Sequence, residues 1–162
     1  VSVKWFGKQV TTEMKKRQYI ALNKAGVTLE RYIKLSMTRT EKQNRGSLRQ
    51  KGRGKRPAKY HHPSMPGHPP AVDTDRLRAS ITFQCSDGTG SKIGPKAHAG
   101  DEVSRPNESW GNPVCVVGTN VEYGRYLELG TQKIKPRPFL RPALENNMNK
   151  ILRFFNQAHK DR

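Results

Sequence analysis

Between residues 39 and 62 the chain reads "RTEKQNRGSLRQKGRGKRPAKYHH", a stretch that offers a fold almost nothing to bury. Arg39, Lys42, Arg45, Arg49, Lys51, Arg53, Lys55, Arg56 and Lys59 face a single acid, Glu41, which gives a local net charge of +8. Three glycines and Pro57 interrupt it, and Tyr60 is its one aromatic residue. Such a segment cannot bury enough apolar surface to offset the entropy lost on ordering it. The expectation is a mobile basic loop over about residues 39–70, with the core assembled from the flanks. The loop is either solvated or a contact for a polyanion, most simply a phosphate backbone, through Arg45, Arg49, Lys51, Arg53, Lys55, Arg56 and Lys59. The contact is the stronger reading, and with one aromatic residue it would not involve stacking on bases.

The remaining chain is enough for one domain with a modest core, so residues 1–162 are read as a single unit. Only 33% of the residues are hydrophobic and the mean hydropathy is −0.88, low for a globular protein. The net charge of +18 and the pI near 10.4 favour polyanionic partners without choosing among them. No apolar run is long enough to span a bilayer and no signal-type hydrophobic core opens the chain, so a protein made and kept in the cytoplasm is expected, with no membrane contact. Cys85 and Cys115 lack metal-type spacing and read as reduced thiols on strands.

The flanks carry clear periodicities. From Val10 to Met37 the residues Met14, Gln18, Leu22, Ala25, Leu29, Tyr32 and Ile33 recur at steps of three or four, which predicts a long helix with one mostly apolar stripe. Thr11 and Thr12 are its expected caps, Glu13 sits in its first turn, Trp5 and Phe6 would staple its entry, and Gly26 marks a kink or a close helix contact. Residues 63–73 are turn and extended chain by proline count. Thr74 and Asp75 then open a short helix that runs into a strand where Ile81, Phe83 and Cys85 alternate, up to a turn at Asp87-Gly88. Residues 89–112 read as loops, with at most one weak strand among them, and "VCVVG" at 114–118 as a buried strand. Pro142 suits the first turn of a final helix whose apolar face is Leu144, Met148, Ile151, Leu152 and Phe155. The fold class is therefore α+β: a small antiparallel sheet flanked by a long N-terminal helix and a C-terminal helix, with a long basic loop.

Catalysis finds little support. His61, His62 and His68 lack the further ligands that zinc needs, and the sparse carboxylates Asp73, Asp75, Asp101 and Glu102 do not form a metal-dependent nuclease centre. No nucleophile elbow or phosphate-binding glycine loop is present, so no enzyme, cofactor or metal is expected. The distinctive passage is instead "YGRYLELGTQKIKPRPFLRPAL", residues 123–144. Tyr123 to Leu129 makes two helical turns with Tyr123, Tyr126 and Leu127 on one stripe, and Gly130 falls where a helix ends in a left-handed residue. Glu128 lies near the helix end, where the dipole does not favour it. Either a cation meets it (Lys133, Arg137, Arg141 or one from a neighbouring subunit) or it stands solvated. Pro136 and Pro138 hold the chain extended and present Phe139 and Leu140, as a core anchor for the last helix or as a partner-binding edge. The anchor is the stronger reading.

"EYGRYLELGT" followed by "KPRPFLRPAL" resembles the signature Y-x-x-x-x-E-x-G-T … P-F-L-x-P-A of long-tailed bacteriophage tail-completion or neck proteins, which join head to tail and are also described as minor tail components. "SMPGHPPAVDTDRLRASI" is similar to that family's P-G-x-P-P-x-x-x-T-G-x-L-R-x-S-I, with Asp75 where the pattern has glycine. The two motifs span Ser64 to Leu144, and the loop from Gly94 to Pro113 is longer than the pattern needs. The resemblance implies a structural virion protein of the tail or neck, assembled in the host cytoplasm as a homo-oligomeric ring around the DNA exit channel. It also implies a small sheet flanked by helices. A hexamer would match a tail tube of hexameric rings, and a twelve-fold ring would match a portal. Other neck and tail proteins (head-closure, tail terminator or tail tube) become the implied partners, with the basic loop toward lumenal DNA or an acidic portal-side protein. Tyr123, Tyr126, Glu128, Gly130, Thr131, Pro138, Phe139, Leu140, Arg141 and Pro142 become the implied assembly residues. The alternative is a basic nucleic-acid-binding module of the nucleoid or ribosome type, although no recognition helix or aromatic platform marks one.

Overall fold

The structure, a computed structural model, describes residues 6–44, 64–72, 75–90 and 112–160. Among these residues six elements follow in order: α1 (Gly7–Asn44), α2 (Arg76–Ser80), β1 (Ile81–Cys85), β2 (Cys115–Thr119), α3 (Tyr123–Leu129) and α4 (Leu140–Lys160). β1 and β2 pair antiparallel, with Ile81 opposite Thr119, Phe83 opposite Val117 and Cys85 opposite Cys115. The class is α+β, with the long first helix and the last helix packed along each other and α1 also lying on the sheet.

α1 is longer at both ends than the apolar stripe alone predicts. It starts at Gly7, so Thr11 and Thr12 are not caps: they sit one turn inside, and their hydroxyls donate back to the carbonyls of Gly7 and Lys8. Glu13 falls outside the first turn and pairs with Arg17 at 3.6 Å. Phe6 is 55% exposed and staples nothing, while Trp5 lies outside the described residues. At the other end the helix continues through Arg39 to Asn44, because that part of the basic stretch is made of ordinary helix formers and its first glycine comes only at Gly46. The core-facing row is Ala21, Ala25, Leu29, Ile33 and Met37. Gly26 marks a close approach, to the sheet rather than to a helix: a Cβ there would overlap the Phe83 ring.

β1 alternates as expected, with Ile81, Phe83 and Cys85 buried. β2 is only partly buried, and Val116 is 41% exposed, so the expectation of a buried strand fails. Among the described residues the sheet has two strands, and away from its buried row Thr82 and Gln84 are half-buried while Val116 is exposed. The two cysteines are free, as expected, and stand directly opposite each other across the pair. Burial, reinforced by the neighbouring Cys85 thiol, pushes the Cys115 thiol far above its usual range.

The centre of the core joins Ile33 and Met37 of α1 with Leu77, Ile81, Val121, Phe139 and Ala143. α4 contributes to it through small side chains: Ala143 and Asn147 are buried against α1, and the Asn147 amide donates to the Ala143 carbonyl at 2.8 Å. The face expected inside is rotated partly out, with Leu144 44%, Met148 42% and Leu152 52% exposed. The apolar arc of α4 is wider than the strip α1 covers, and close packing selects Ala143 over its larger neighbour Leu144.

Candidate functional site

The motif-bearing passage after β2 is a buckle that fixes the start of α4. α3 ends at Gly130, whose backbone lies at φ +78° and ψ 176°, a region essentially reserved for glycine. A left-handed helix end was expected; the φ is positive, but the ψ makes this a sharper reversal. Beyond it Thr131 builds a compact turn: its N–H donates to the Ile134 carbonyl at 2.8 Å, and its hydroxyl accepts the N–H groups of Lys133 and Ile134 at 3.3 and 3.1 Å. The chain then runs back beside α3, where the Arg137 N–H donates to the Leu127 carbonyl at 2.6 Å.

This return brings the first turn of α4 over the Glu128 side chain. Glu128 Oε2 accepts the backbone N–H groups of Phe139 and Leu140 at 2.7 and 3.0 Å, and Oε1 accepts that of Arg141 at 2.9 Å. A helix opens with four N–H groups that have no partner inside it. Here one carboxylate takes three, and Pro142 at the next position has no N–H to satisfy. The carboxylate also lies at the positive end of the α4 dipole. Among the described residues no cation pairs with Glu128; its partners are backbone donors, and Arg141 turns its guanidinium to Glu145 at 3.1 Å. Spacing within α3 could not reveal this, because the helix whose dipole Glu128 complements is the next one.

Phe139 is 1% exposed and sits in the core cluster, so the strap anchors the last helix. Leu140 is half-buried against the same cluster. Pro138, half-buried, and Pro142 bracket Phe139 and Leu140 and limit the backbone freedom lost on placing them. Tyr126 stacks under Arg125, whose guanidinium lies 4.8 Å from the ring and donates to the phenol at 2.9 Å. Tyr123 is 37% exposed, with Arg76 5.9 Å from its ring.

The upstream motif meets the buckle. The Gly67 N–H donates to the Pro136 carbonyl at 2.9 Å, and Leu77 and Ile81 enter the core beside Phe139. Asp75, where the pattern has glycine, has φ +63°, so the substitution falls on a left-handed position that Asp tolerates better than most residues. Its carboxylate clasps Arg78, from Nε to Oδ1 at 2.5 Å and from Nη2 to Oδ2 at 3.0 Å. Asp75 thus occupies the N-cap position of α2, while Thr74 lies outside the described residues. Ser80 locks the strand entry through a 2.6 Å hydrogen bond with Thr119.

Between the end of β2, α3 and the start of α4 lies an open groove of about 550 Å³, lined by Gly118, Thr119, Val121, Glu122, Leu129 and Leu140 among others. Leu129, within the second motif, is 78% exposed at its edge. Arg45, Arg49, Lys51, Arg53, Lys55, Arg56 and Lys59 lie outside the described residues, as do His61, His62, Asp73, Asp101 and Glu102 and nearly all of the 94–113 loop. Among the described residues no three His, Cys, Asp or Glu side chains are grouped to hold a metal ion, and no helix is long and apolar enough to cross a membrane.

Comparison with protein families finds a match to residues 3–130, in the family described as "Bacteriophage HK97-gp10, putative tail-component". The chain belongs to this HK97-gp10-like family. The match takes in α1, the upstream motif, both strands and α3, and stops at Gly130, where the strap begins. Neither the curated proteins nor the solved structures contain a match to the chain. The chain is thus a phage tail component, a structural virion protein by family.

Proposed function

We propose that this HK97-gp10-like protein completes the tail at the neck, where copies of it form a non-catalytic ring around the channel through which DNA leaves the head. The family match over residues 3–130 carries the reading. The structure supports it by the economy of its motifs, which buckle two helices and a minimal sheet together. Large apolar side chains are left outside, among them Leu129, Leu144, Met148 and Leu152. A subunit of a symmetric assembly has a use for such surface, and an isolated small domain does not. The ring is six-fold if it matches a hexameric tail tube and twelve-fold if it matches a portal. Its neighbours are head-closure, tail-terminator or tail-tube proteins.

The net charge of +18 also favours contact with the genome. In this reading Arg45, Arg49, Lys51, Arg53, Lys55, Arg56 and Lys59 line the lumen against DNA or meet an acidic neighbour, and the motif residues serve assembly by holding α3 and α4 in place. The same charge suits a nucleoid- or ribosome-type binding module, a rival that predicts no virion defect. Deletion of the gene followed by negative-stain imaging of the lysate separates the two. Unattached full heads and tails are expected, and complementation with the gene restores joined particles. Particles joined normally in its absence would refute the neck assignment.

A further inference from the structure

The last residue of β1 and the first of β2 are both cysteines, and the hydrogen bonds around them define the kind of pair they make. The Cys85 N–H turns away from β2 and donates to the Thr89 carbonyl at 2.8 Å. The next N–H, that of Ser86, donates to the Val114 carbonyl at 2.8 Å. In an antiparallel ladder this alternation makes Cys85 and Cys115 a non-hydrogen-bonded pair, whose Cα atoms approach to about 4.5 Å. Disulfides span Cα separations from about 4.4 Å upward, so the backbone already stands at bridging distance. The two thiols interact directly, Cys85 buried and Cys115 half-buried. Ser86 pins this end of the sheet: its hydroxyl shares a 2.9 Å hydrogen bond with the Tyr19 hydroxyl of α1 and accepts the Val114 N–H at 3.1 Å. The backbone beside the pair is therefore tied across the strands and to the long helix.

We propose that Cys85 and Cys115 are a modification site, joined in a cross-strand disulfide once the released particle has left the reducing interior of the cell. The proposal rests on membership of the tail-component family and is independent of the ring. A virion protein is made where cellular reductants keep thiols reduced, and it then works outside, where nothing maintains that poise. The sheet has a use for the bond. Among the described residues it has two strands, and a strand pair is marginal without further support. The link closes the chain from Cys85 to Cys115 into a loop, which stabilises the fold mainly by restricting the unfolded chain.

The oxidant is a small-molecule disulfide of the glutathione type. The Cys115 thiol, the more exposed of the two, loses its proton to water, and its sulfur attacks one sulfur of the oxidant. The oxidant's S–S bond breaks, and the departing thiolate takes up a proton. The Cys85 thiol then loses its proton, and its sulfur attacks Cys115 Sγ and displaces the second thiolate, which is protonated in turn. The two cysteines give up two electrons and two protons, and one small disulfide becomes two thiols. Burial first, then the Cys85 thiol and the Asp87 carboxylate, disfavour the Cys115 thiolate, so the first step is slow. That delay spares the pair during assembly and lets it oxidise over the life of the particle.

The test incubates the reduced full chain in glutathione buffers of rising disulfide-to-thiol ratio, quenches with acid and maps the peptides by mass spectrometry. The expected product is a single Cys85–Cys115 link within one chain, with a Tm raised by roughly 5–12 °C over the reduced form. Cys85→Ser removes the second attacking thiol, so glutathione should remain on Cys115, whereas Cys115→Ser should take up none because Cys85 is buried. Wild-type protein that forms no link under excess oxidised glutathione, or forms it only in denaturant, overturns the proposal whether or not the variants fold. A linked form that melts below the reduced one overturns it too, because the bond then strains the strand pair. Released particles give the second arm: dissolved in denaturant with N-ethylmaleimide to trap free thiols, they should yield the linked peptide. Cysteines fully alkylated there would refute the modification and leave the neck assignment standing, since gene deletion judges that reading separately.

Discussion

Replacing Glu128 by alanine removes the partner of three backbone donors at once, and the structure sets the size of the effect. The Arg141 N–H is exposed and turns to water at little cost, whereas the N–H groups of Phe139 and Leu140 are half-buried beside the core. A buried donor left without a partner costs about 1–3 kcal/mol. With two donors near the lower part of that range, Glu128→Ala should cost about 2–4 kcal/mol, more than the ~1 kcal/mol of an ordinary N-cap. For a chain of this length that lowers Tm by roughly 5–12 °C. Glu128→Gln keeps one carbonyl oxygen for Phe139 and Leu140 and presents its NH2 to the exposed Arg141 N–H. It should cost about half as much, since the surviving bonds are no longer charge-assisted. The assay is thermal unfolding of both variants, with amide hydrogen exchange at residues 139–141. Alanine and glutamine variants that both melt within 1 °C of the wild type, with unchanged protection, would refute the capping argument.

Other outcomes follow from the same structure. Phe139→Ala should lose about 3–5 kcal/mol, as for an aromatic ring deleted from a packed core; chemical denaturation checks it, and an unchanged midpoint would remove Phe139 from the core. Neutralising Arg49, Lys51, Arg53, Lys55 and Arg56 should weaken DNA binding and flatten log affinity against log salt by up to about 4 to 5 units, at ~0.9 per phosphate released. An unchanged slope would place DNA contact elsewhere. A thiol reacts as its thiolate, and burial raises the Cys115 pKa, so its reactive form is scarce at pH 8 and increases only at far higher pH. Alkylation by iodoacetamide at pH 8 should therefore be slow in the native protein and fast in denaturant, and equal rates in the two states would contradict the packing around the strand pair.

What the sequence revealed about this fold depended on how local the cause was. The alternation of Ile81, Phe83 and Cys85 is a two-residue pattern with one solution, and the strand forms where it was expected. Gly130 and the proline strap are local constraints too, and both act as punctuation around α4. The α4 face was misjudged because an apolar arc wider than one contact cannot say which half meets α1. Size decided it, by selecting Ala143 and Asn147. Thr11 and Thr12 looked like caps because the stripe begins there, but α1 extends beyond the core it packs on. Glu128 was legible as an oddity, a carboxylate at the wrong end of α3. Its solution lay eleven to thirteen residues away, at the N–H groups of Phe139, Leu140 and Arg141, a tertiary relation with no periodicity to betray it. The cross-strand position of Cys85 and Cys115 was hidden likewise, since register is a property of the pair and not of either strand.

The central claim is that this tail component forms a ring at the head–tail joint, and localised reconstruction of that joint in intact virions tests it most directly. The account predicts a closed ring of copies of this chain around the channel, with the buckle from Glu128 to Pro142 intact in every subunit. Density at the joint that accommodates no copy of the chain, or copies found only elsewhere along the tail, would contradict it.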